Sequence, residues 1–384
     1  LVLFLSTSSR KVEHVRLVAS SKVESSESTL FEFVRLVHNP MPGLDLSDVD
    51  LSVSFCGGRR LRAPLMITGM TGGHPDVSWI NEKLAMVAEE FGIAMGVGSQ
   101  RAALEDPSLS ETYSIARRVA PNAVLVANIG APQLARGYGV REVLRAIEMI
   151  DADAIAIHLN PGQEAFQDEG EPLYRGVLEK IVDVASRVDK PVIVKEVGTG
   201  LSREVVAELH QAGVECFDVA GLGGTNWVKA EVIRSRAKHG SPLKPAGGLD
   251  DYWGNPTAVA VVEARVVAPR AFIVGSGGVR NGLDVVKVIA LGADVAGMAL
   301  PALRALVNGG YESLRKLISS IIYQVKVAVF LAGGRSVKDL WKAPVVVHGR
   351  LREELELRGV NVDEYIREYR LKALLWRVKR ESGY

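Results

Sequence analysis

Residues 154–164 read Ala154-Ile-Ala-Ile-His158-Leu-Asn160-Pro-Gly-Gln163-Glu164. In a β-strand successive side chains leave opposite faces. Ala154, Ala156, His158 and Asn160 then share one face, and Ile155, Ile157 and Leu159 share the other. Small residues on one face suit a crowded interior, and branched ones suit a helix packed outside. His158 and Asn160 emerge at the carboxyl end of this strand, where a Pro-Gly turn presents Gln163 and Glu164. Standing alone, an imidazole, two amides and a carboxylate could equally cap one another in a polar loop. The rest of the chain decides between the two readings.

From Ala63 onward, short apolar runs alternate with helical patterns, which is the βα rhythm. Strands are expected at Pro64–Thr68, Ile93–Val97, Ala123–Asn128, Ala154–Leu159, Pro191–Lys195, Cys216–Ala220, Ala271–Gly275 and Asp294–Ala299. Helical patterns occupy Trp79–Phe91, Val140–Ile150, Tyr174–Val188, Ser202–Ala212 and Pro256–Val267. Eight such units over about 240 residues match a closed (β/α)8 TIM barrel in number and size. A doubly wound open sheet is the structural alternative. The barrel is preferred because glycine and charged residues follow nearly every strand, whereas an open sheet gathers them at one switch point.

The expected division is a single domain over 1–384: an N-terminal arm and preamble (1–62), the barrel (63–310) and a C-terminal helical extension (311–384). Ser8 caps an expected arm helix in which Lys11 and His14 share a face, as do Arg10 and Glu13. Lys and Arg number 46 against 45 acidic residues, a net charge of +1, so no global basic field invites nucleic acid. No run reaches the length of a membrane-spanning helix, and Leu1–Leu5 is too short for a secretory core. Cys56 and Cys216 lie far apart with no CxxC pattern, which points to a reducing, cytoplasmic setting and away from a structural metal centre.

If the barrel is right, the strand ends form one site. They read Thr68-Gly69-Met70-Thr71, Ser99-Gln100-Arg101, Asn128-Ile-Gly130, the opening cluster, Lys195-Glu-Val-Gly198, Gly223-Gly-Thr225-Asn-Trp227, Ser276-Gly277-Gly278-Val-Arg280 and Ala299-Leu300. A lysine closing an apolar strand is costly without a partner. It serves a Schiff base, a phosphate, an electron-rich ring or a nearby carboxylate. Glycine amides with Arg280 and a helix start at Ala299-Leu300 form a phosphate site of the kind barrels place after strands seven and eight. With no GxGxxG after a first strand, a phosphorylated cofactor such as FMN fits better than a Rossmann-bound dinucleotide. Trp227 stands where it could close over a planar or allylic group.

Taken in order, these motifs resemble those of the type 2 isopentenyl-diphosphate isomerases, FMN-dependent enzymes. The resemblance also covers Arg10-Lys11-x-Glu-His14 and Gly98-Ser-Gln-Arg101, and runs across nearly the whole chain. It implies a flavin-containing barrel that interconverts isopentenyl and dimethylallyl diphosphate, with NAD(P)H as reductant and Mg2+ on the diphosphate. It implies FMN at Thr68, Gly69, Met70, Thr71, Ser99, Asn128 and Lys195, and at Thr225, Ser276, Gly277, Gly278, Arg280, Ala299 and Leu300. Substrate falls to Arg10, Lys11, His14, Ser99, Gln100, Arg101 and Gln163, and the metal to Glu164. His158, Asn160, Gln163 and Trp227 are the expected catalytic group. Reduced FMN is the expected acid and base, with His158 as the rival. A homo-oligomer, tetramer or octamer, is also implied. A basic arm that closes on substrate is expected on separate grounds, because a segment covering an active site excludes water and completes it.

The chemistry agrees. A diphosphate wants cationic forks and a hard cation on oxygen ligands. A carbocation-like transition state wants an electron-rich surface beneath it. Two other readings stand beside this one. An FMN barrel that oxidises 2-hydroxy acids would use Arg101 and His158 on a carboxylate, but leaves Glu164 and the basic arm unexplained. A non-catalytic phosphate-binding barrel would be colourless and inert.

Overall fold

The computed structural model describes the backbone of residues 7–381 and the side chains of 10–375. Helix α1 (Thr7–Ser20) opens it, followed by strand β1 (Val34–Leu36) and a hairpin of β2 (Val53–Ser54) and β3 (Arg60–Leu61). Eight parallel strands follow: β4 (Leu65–Ile67), β5 (Ala94–Gly96), β6 (Val124–Gly130), β7 (Ala154–His158), β8 (Val192–Lys195), β9 (Cys216–Asp218), β10 (Phe272–Ser276) and β11 (Val295–Met298). They close into a barrel in sequence order, with β11 pairing β4. These are the eight strands expected from the sequence. Their residues are apolar on both faces because helices cover the outside, the usual state of a parallel sheet; Ile155, Ala156 and Ile157 are all buried.

The covering helices are α2 (Pro75–Phe91), α3 (Glu111–Val119), α4 (Val140–Met149), α5 (Val177–Arg187), α6 (Arg203–Gln211), α7 (Trp227–His239), α8 (Thr257–Val267), α9 (Gly282–Ala290) and α10 (Leu300–Leu331). Three were not anticipated, α3, α7 and α9. α2 begins with Pro75 in its first turn and ends at Gly92 with φ of 61°, as helix boundaries prefer. α10 is broken at Gly310, where φ is 72°.

The β2–β3 hairpin lies against the amino ends of the strands. Phe55 stacks edge-on against Phe272 at the start of β10, with centroids 5.0 Å apart. Gly57 sits so close to Pro191 that no side chain would fit. Here the structure corrects the reading of the cysteines. Cys56 on the hairpin and Cys216 on β9 form a disulfide, with Cα atoms 6.5 Å apart. The pairing removes cysteine usage as an argument for a reducing compartment. No spacing rule could find it, since 160 residues separate the two.

Strand β12 (Val345–Val347) pairs antiparallel with β1, so the segment before the barrel meets the segment after it. Helices α11 (Gly349–Leu357) and α12 (Arg370–Glu381) follow. Arg265 joins this extension to the barrel. It is fully buried, donates to Asp294 at 2.9 Å and to three carbonyls at its helix end, and lies 4.8 Å over the Trp341 ring. Among the described residues no helix is long and apolar enough to cross a membrane.

Candidate active site

The carboxyl ends of the barrel strands open into a cavity of about 1500 Å³, solvent in its mouth included. α1 lies across that mouth, so Arg10, Lys11, His14, Val15 and Val18 form part of the wall. Lys11 and His14 thus share the inward face that their spacing called for. α1 begins at Thr7, which puts Ser8 inside its first turn, and the side chain of Ser8 lies outside the described residues. Every other expected site residue lines this cavity except Gln100.

Gln100 is a correction. It caps the short helix after β5 and is fully buried. Its amide donates to the Ala146 carbonyl at 2.8 Å, and its oxygen accepts from the Asn128 N–H at 2.8 Å. The side chain therefore braces β5 against β6 and α4, behind the wall, while Ser99 and Arg101 face the cavity.

Three cations meet at the mouth. Lys11 is half-buried beside Arg10 and Arg101 and has no carboxylate in ion-pair distance among the described residues. Burial, then its two cationic neighbours, bring its ammonium down to about 8. Arg101 is held by Glu105 at 2.7 Å and Arg10 loosely by Glu169 at 3.8 Å. Facing them is Glu164, in the short helix Pro161–Phe166. Burial pushes its carboxyl up, against the pull of Asn160, Arg10 and Arg101. Asn160 organises this corner. Its amide nitrogen donates to Gln163 Oε1 at 3.2 Å and Glu164 Oε1 at 3.1 Å, and Tyr174 Oη donates to its oxygen at 3.1 Å.

Deeper in, His158 Nδ1 lies 2.8 Å from Asn128 Oδ1. An amide oxygen can only accept, so the proton sits on Nδ1. Burial, then Lys195 and Lys11, depress the imidazole to about 3. It is a neutral group at neutral pH, since both nearby ammonium groups oppose a third charge. Lys195 donates to the Glu196 carbonyl oxygen and stands 3.7 Å from Asp218. The Glu196 carboxylate accepts from the N–H groups of Val197, Gly198 and Thr199 at 2.6, 2.7 and 2.6 Å. That single side chain shapes the loop after β8. Gly198, with φ of 142°, is required there because a Cβ would strike the Thr225 carbonyl oxygen.

Glu231 belongs to none of the strand-end motifs. It is 1% exposed, 2.9 Å from His14 Nε2, and accepts from Gln163 Nε2 at 3.0 Å. Burial would raise its carboxyl, but His14, Gln163 and Arg234 together bring it down to about 2. Its signal was there: Glu231 follows Trp227 by four residues, one helical turn along α7, so the two share a face. Trp227 itself sits edge-on to His14, with centroids 5.1 Å apart. Arg234, one further turn along, holds Glu13 at 2.9 Å, Glu169 at 2.6 Å and Glu231 at 3.2 Å. The arm is thus fastened to α7 by charges of both signs.

Comparison with known proteins places this geometry. A family model for FMN-dependent dehydrogenases matches residues 163–347. An isopentenyl-diphosphate delta-isomerase of Aeropyrum pernix is 64% identical over 371 residues, 97% of this chain and 98% of that protein. The protein of the same name from Sulfurisphaera tokodaii is 47% identical over 362 residues, 94% of this chain and 97% of its own. Among solved structures, mandelate oxidase with 3,3-difluoro-2-hydroxy-3-phenylpropionic acid matches with a TM-score of 0.61 at 17% identity, covering 88% of this chain and 95% of that one. Mandelate oxidase with benzoyl-formic acid gives 0.60 at 17%, covering 87% and 94%. These two share the fold. Near-full-length identity to the named isomerases, with the flavin-type barrel, decides the family: the chain belongs to the type 2, FMN-dependent isopentenyl-diphosphate delta-isomerases.

Proposed function

We propose that this protein interconverts isopentenyl diphosphate and dimethylallyl diphosphate, moving one double bond with no net redox change. The carrying observation is the trio Arg10, Lys11 and Arg101 on one cavity, with Lys11 lacking a carboxylate partner among the described residues. Clustered like charges favour an anion that completes them. A diphosphate does so with its several oxygens, and Ser99, His14 and Gln163 add polar contacts. The names of the relatives at 64% and 47% identity support the same substrate.

The residues present fit FMN. Thr71 Oγ1 is buried in the cavity wall with no hydrogen-bond partner among the described residues. α10 begins at Leu300 with Ala299 as a cap that offers no side-chain bond, which leaves N–H groups for a phosphate. Ser276, Gly277, Gly278 and Arg280 stand beside it, and Thr68, Gly69, Met70, Ser99, Asn128, Lys195 and Thr225 complete the wall. When bound and reduced by NAD(P)H, the flavin supplies an electron-rich face and a nitrogen that exchanges a proton.

Mg2+ fits Glu164, a carboxylate in no ion pair among the described residues, because magnesium uses one or two carboxylates plus phosphate oxygens. Asn160 holds Glu164 and Gln163 in register for this. His158, neutral and committed through Nδ1 to Asn128, orients the substrate and leaves proton delivery to another group. Trp227 offers the alkenyl end an apolar wall. α1 excludes water from above, and ordering with substrate is its expected behaviour. The protein is proposed to work in the cytoplasm as a homo-oligomer, a tetramer or octamer, which sedimentation would test.

Incubation with isopentenyl diphosphate, FMN, NADPH and MgCl2, followed by proton NMR, is expected to show dimethylallyl diphosphate. A flavin-loaded protein that forms none refutes the reading. Oxidation of lactate or glycolate with bleaching of the flavin would instead make it a hydroxyacid oxidase. Loss of turnover on chelation, restored by Mg2+, tests the metal.

A further inference from the structure

Three neighbouring strands end in a charge arrangement that the reading above does not use. Lys195 closes β8, Asp218 closes β9 and Ser276 closes β10. β9 lies between the other two, with Asp218 in register with Lys195. Ser276 Oγ donates to Asp218 Oδ1 at 2.5 Å. Asp218 Oδ2 stands 3.7 Å from Lys195 Nζ and makes no hydrogen bond. Asp218 is 1% exposed and Lys195 8%. Lys195 and Ser276 line the cavity, whereas Asp218 stands behind them. An acid in that place touches no ligand, yet it holds two groups that do.

We propose that Asp218 is a positioning residue that fixes the Lys195 ammonium and the Ser276 hydroxyl together, so that a bound flavin meets a half-compensated cation. The inference rests on the FMN reading given above. Its physical basis is simple. A buried ammonium without a counter-charge would strongly favour the negatively charged reduced cofactor, and a carboxylate 3.7 Å away tempers that preference. Burial pushes the Asp218 carboxyl up, while Lys195 and Ser276 pull it back toward the charged form.

The test is D218N, which keeps the shape and an oxygen for Ser276 but removes the charge. The FMN-loaded variant is expected to retain flavin with a midpoint potential more positive than that of the wild type. An unchanged or more negative potential overturns the proposal. A second measurement needs no cofactor. K195M and D218N each leave one buried charge without its partner. Melting of the apo proteins should therefore show the K195M/D218N double falling by less than the sum of the singles. Additive losses overturn the pairing. A wild type that takes up no flavin would refute the FMN reading, and the melting cycle would still decide the role of Asp218.

Discussion

Replacing Arg234 with Met tests whether α1 is fastened by charge. The guanidinium is 4% exposed and binds Glu13, Glu169 and Glu231. The three bonds are unequal. Glu13 and Glu169 keep 41% and 21% of their side chains exposed, so water replaces much of what they lose. The Glu231 side chain is fully buried and retains His14 and Gln163. Removing one partner of a buried pair costs about 3–5 kcal/mol, and the lower end applies because those two contacts remain. For 384 residues the unfolding entropy near the midpoint is about 0.8 kcal/mol per degree. The melting temperature should thus fall by about 4 °C. The same variant frees the arm, so trypsin should cut at Arg10 or Lys11 faster, and KM for the diphosphate should rise more than kcat falls. Arg234→Lys, which keeps the charge but not the fork, should lie between. A melting shift under about 1 °C with unchanged cleavage refutes the reasoning.

Other outcomes follow from the same geometry. The disulfide closes a 160-residue loop, so Cys56→Ala with Cys216→Ala should cost about 5 kcal/mol by chain entropy. Equal melting with and without reductant would count against a stabilising bond. Glu196→Ala leaves backbone N–H groups of the β8 loop without their acceptor and should weaken FMN binding, read by flavin fluorescence, at a stability cost of about 2 kcal/mol. Because Lys11 sits at about 8 in the free protein, its charge is present below that pH and lost above it. Substrate affinity should therefore fall as pH rises through 8, and Lys11→Met should be weaker at pH 7 and flat across that range. His158→Asn should lower kcat by no more than about 10²-fold if the imidazole only orients substrate, and a loss beyond about 10⁴-fold with both ligands still bound would make it the proton carrier.

The barrel was legible because its strands are short, apolar on both faces and punctuated by glycine. Those properties are local and survive in a one-dimensional reading. Most strand-end residues were legible for the same reason, as was the shared face of Lys11 and His14. Gln100 was not, because adjacent residues in Ser99-Gln100-Arg101 point to different sides of the wall, and which side depends on the turn after β5. Asp218 and Glu231 act through partners many residues away, and neither stands in a motif of its own. The Cys56–Cys216 bond depends on a hairpin folding under the barrel, which only the closed structure brings within reach. α7 buries Glu231, Arg234 and Ser235 among its apolar residues, so no clean apolar stripe marks it as a helix, and the alignment of Trp227, Glu231 and Arg234 stays hidden in the sequence.

The pairing of β1 with β12 has a bearing on synthesis. Val34 and Val347, partners in that ladder, are separated by nearly the whole chain and are 1% and 6% exposed. While the chain is still emerging from the ribosome, the edge of β1 has nothing to pair with. The barrel seam between β4 and β11 likewise waits for residues near 295. α1 precedes both, so it is made before the strands that close the barrel beneath it. A nascent or truncated chain ending before Val345 would carry an open strand edge, a template for pairing with other chains. The finished protein hides that edge by pairing β1 with β12.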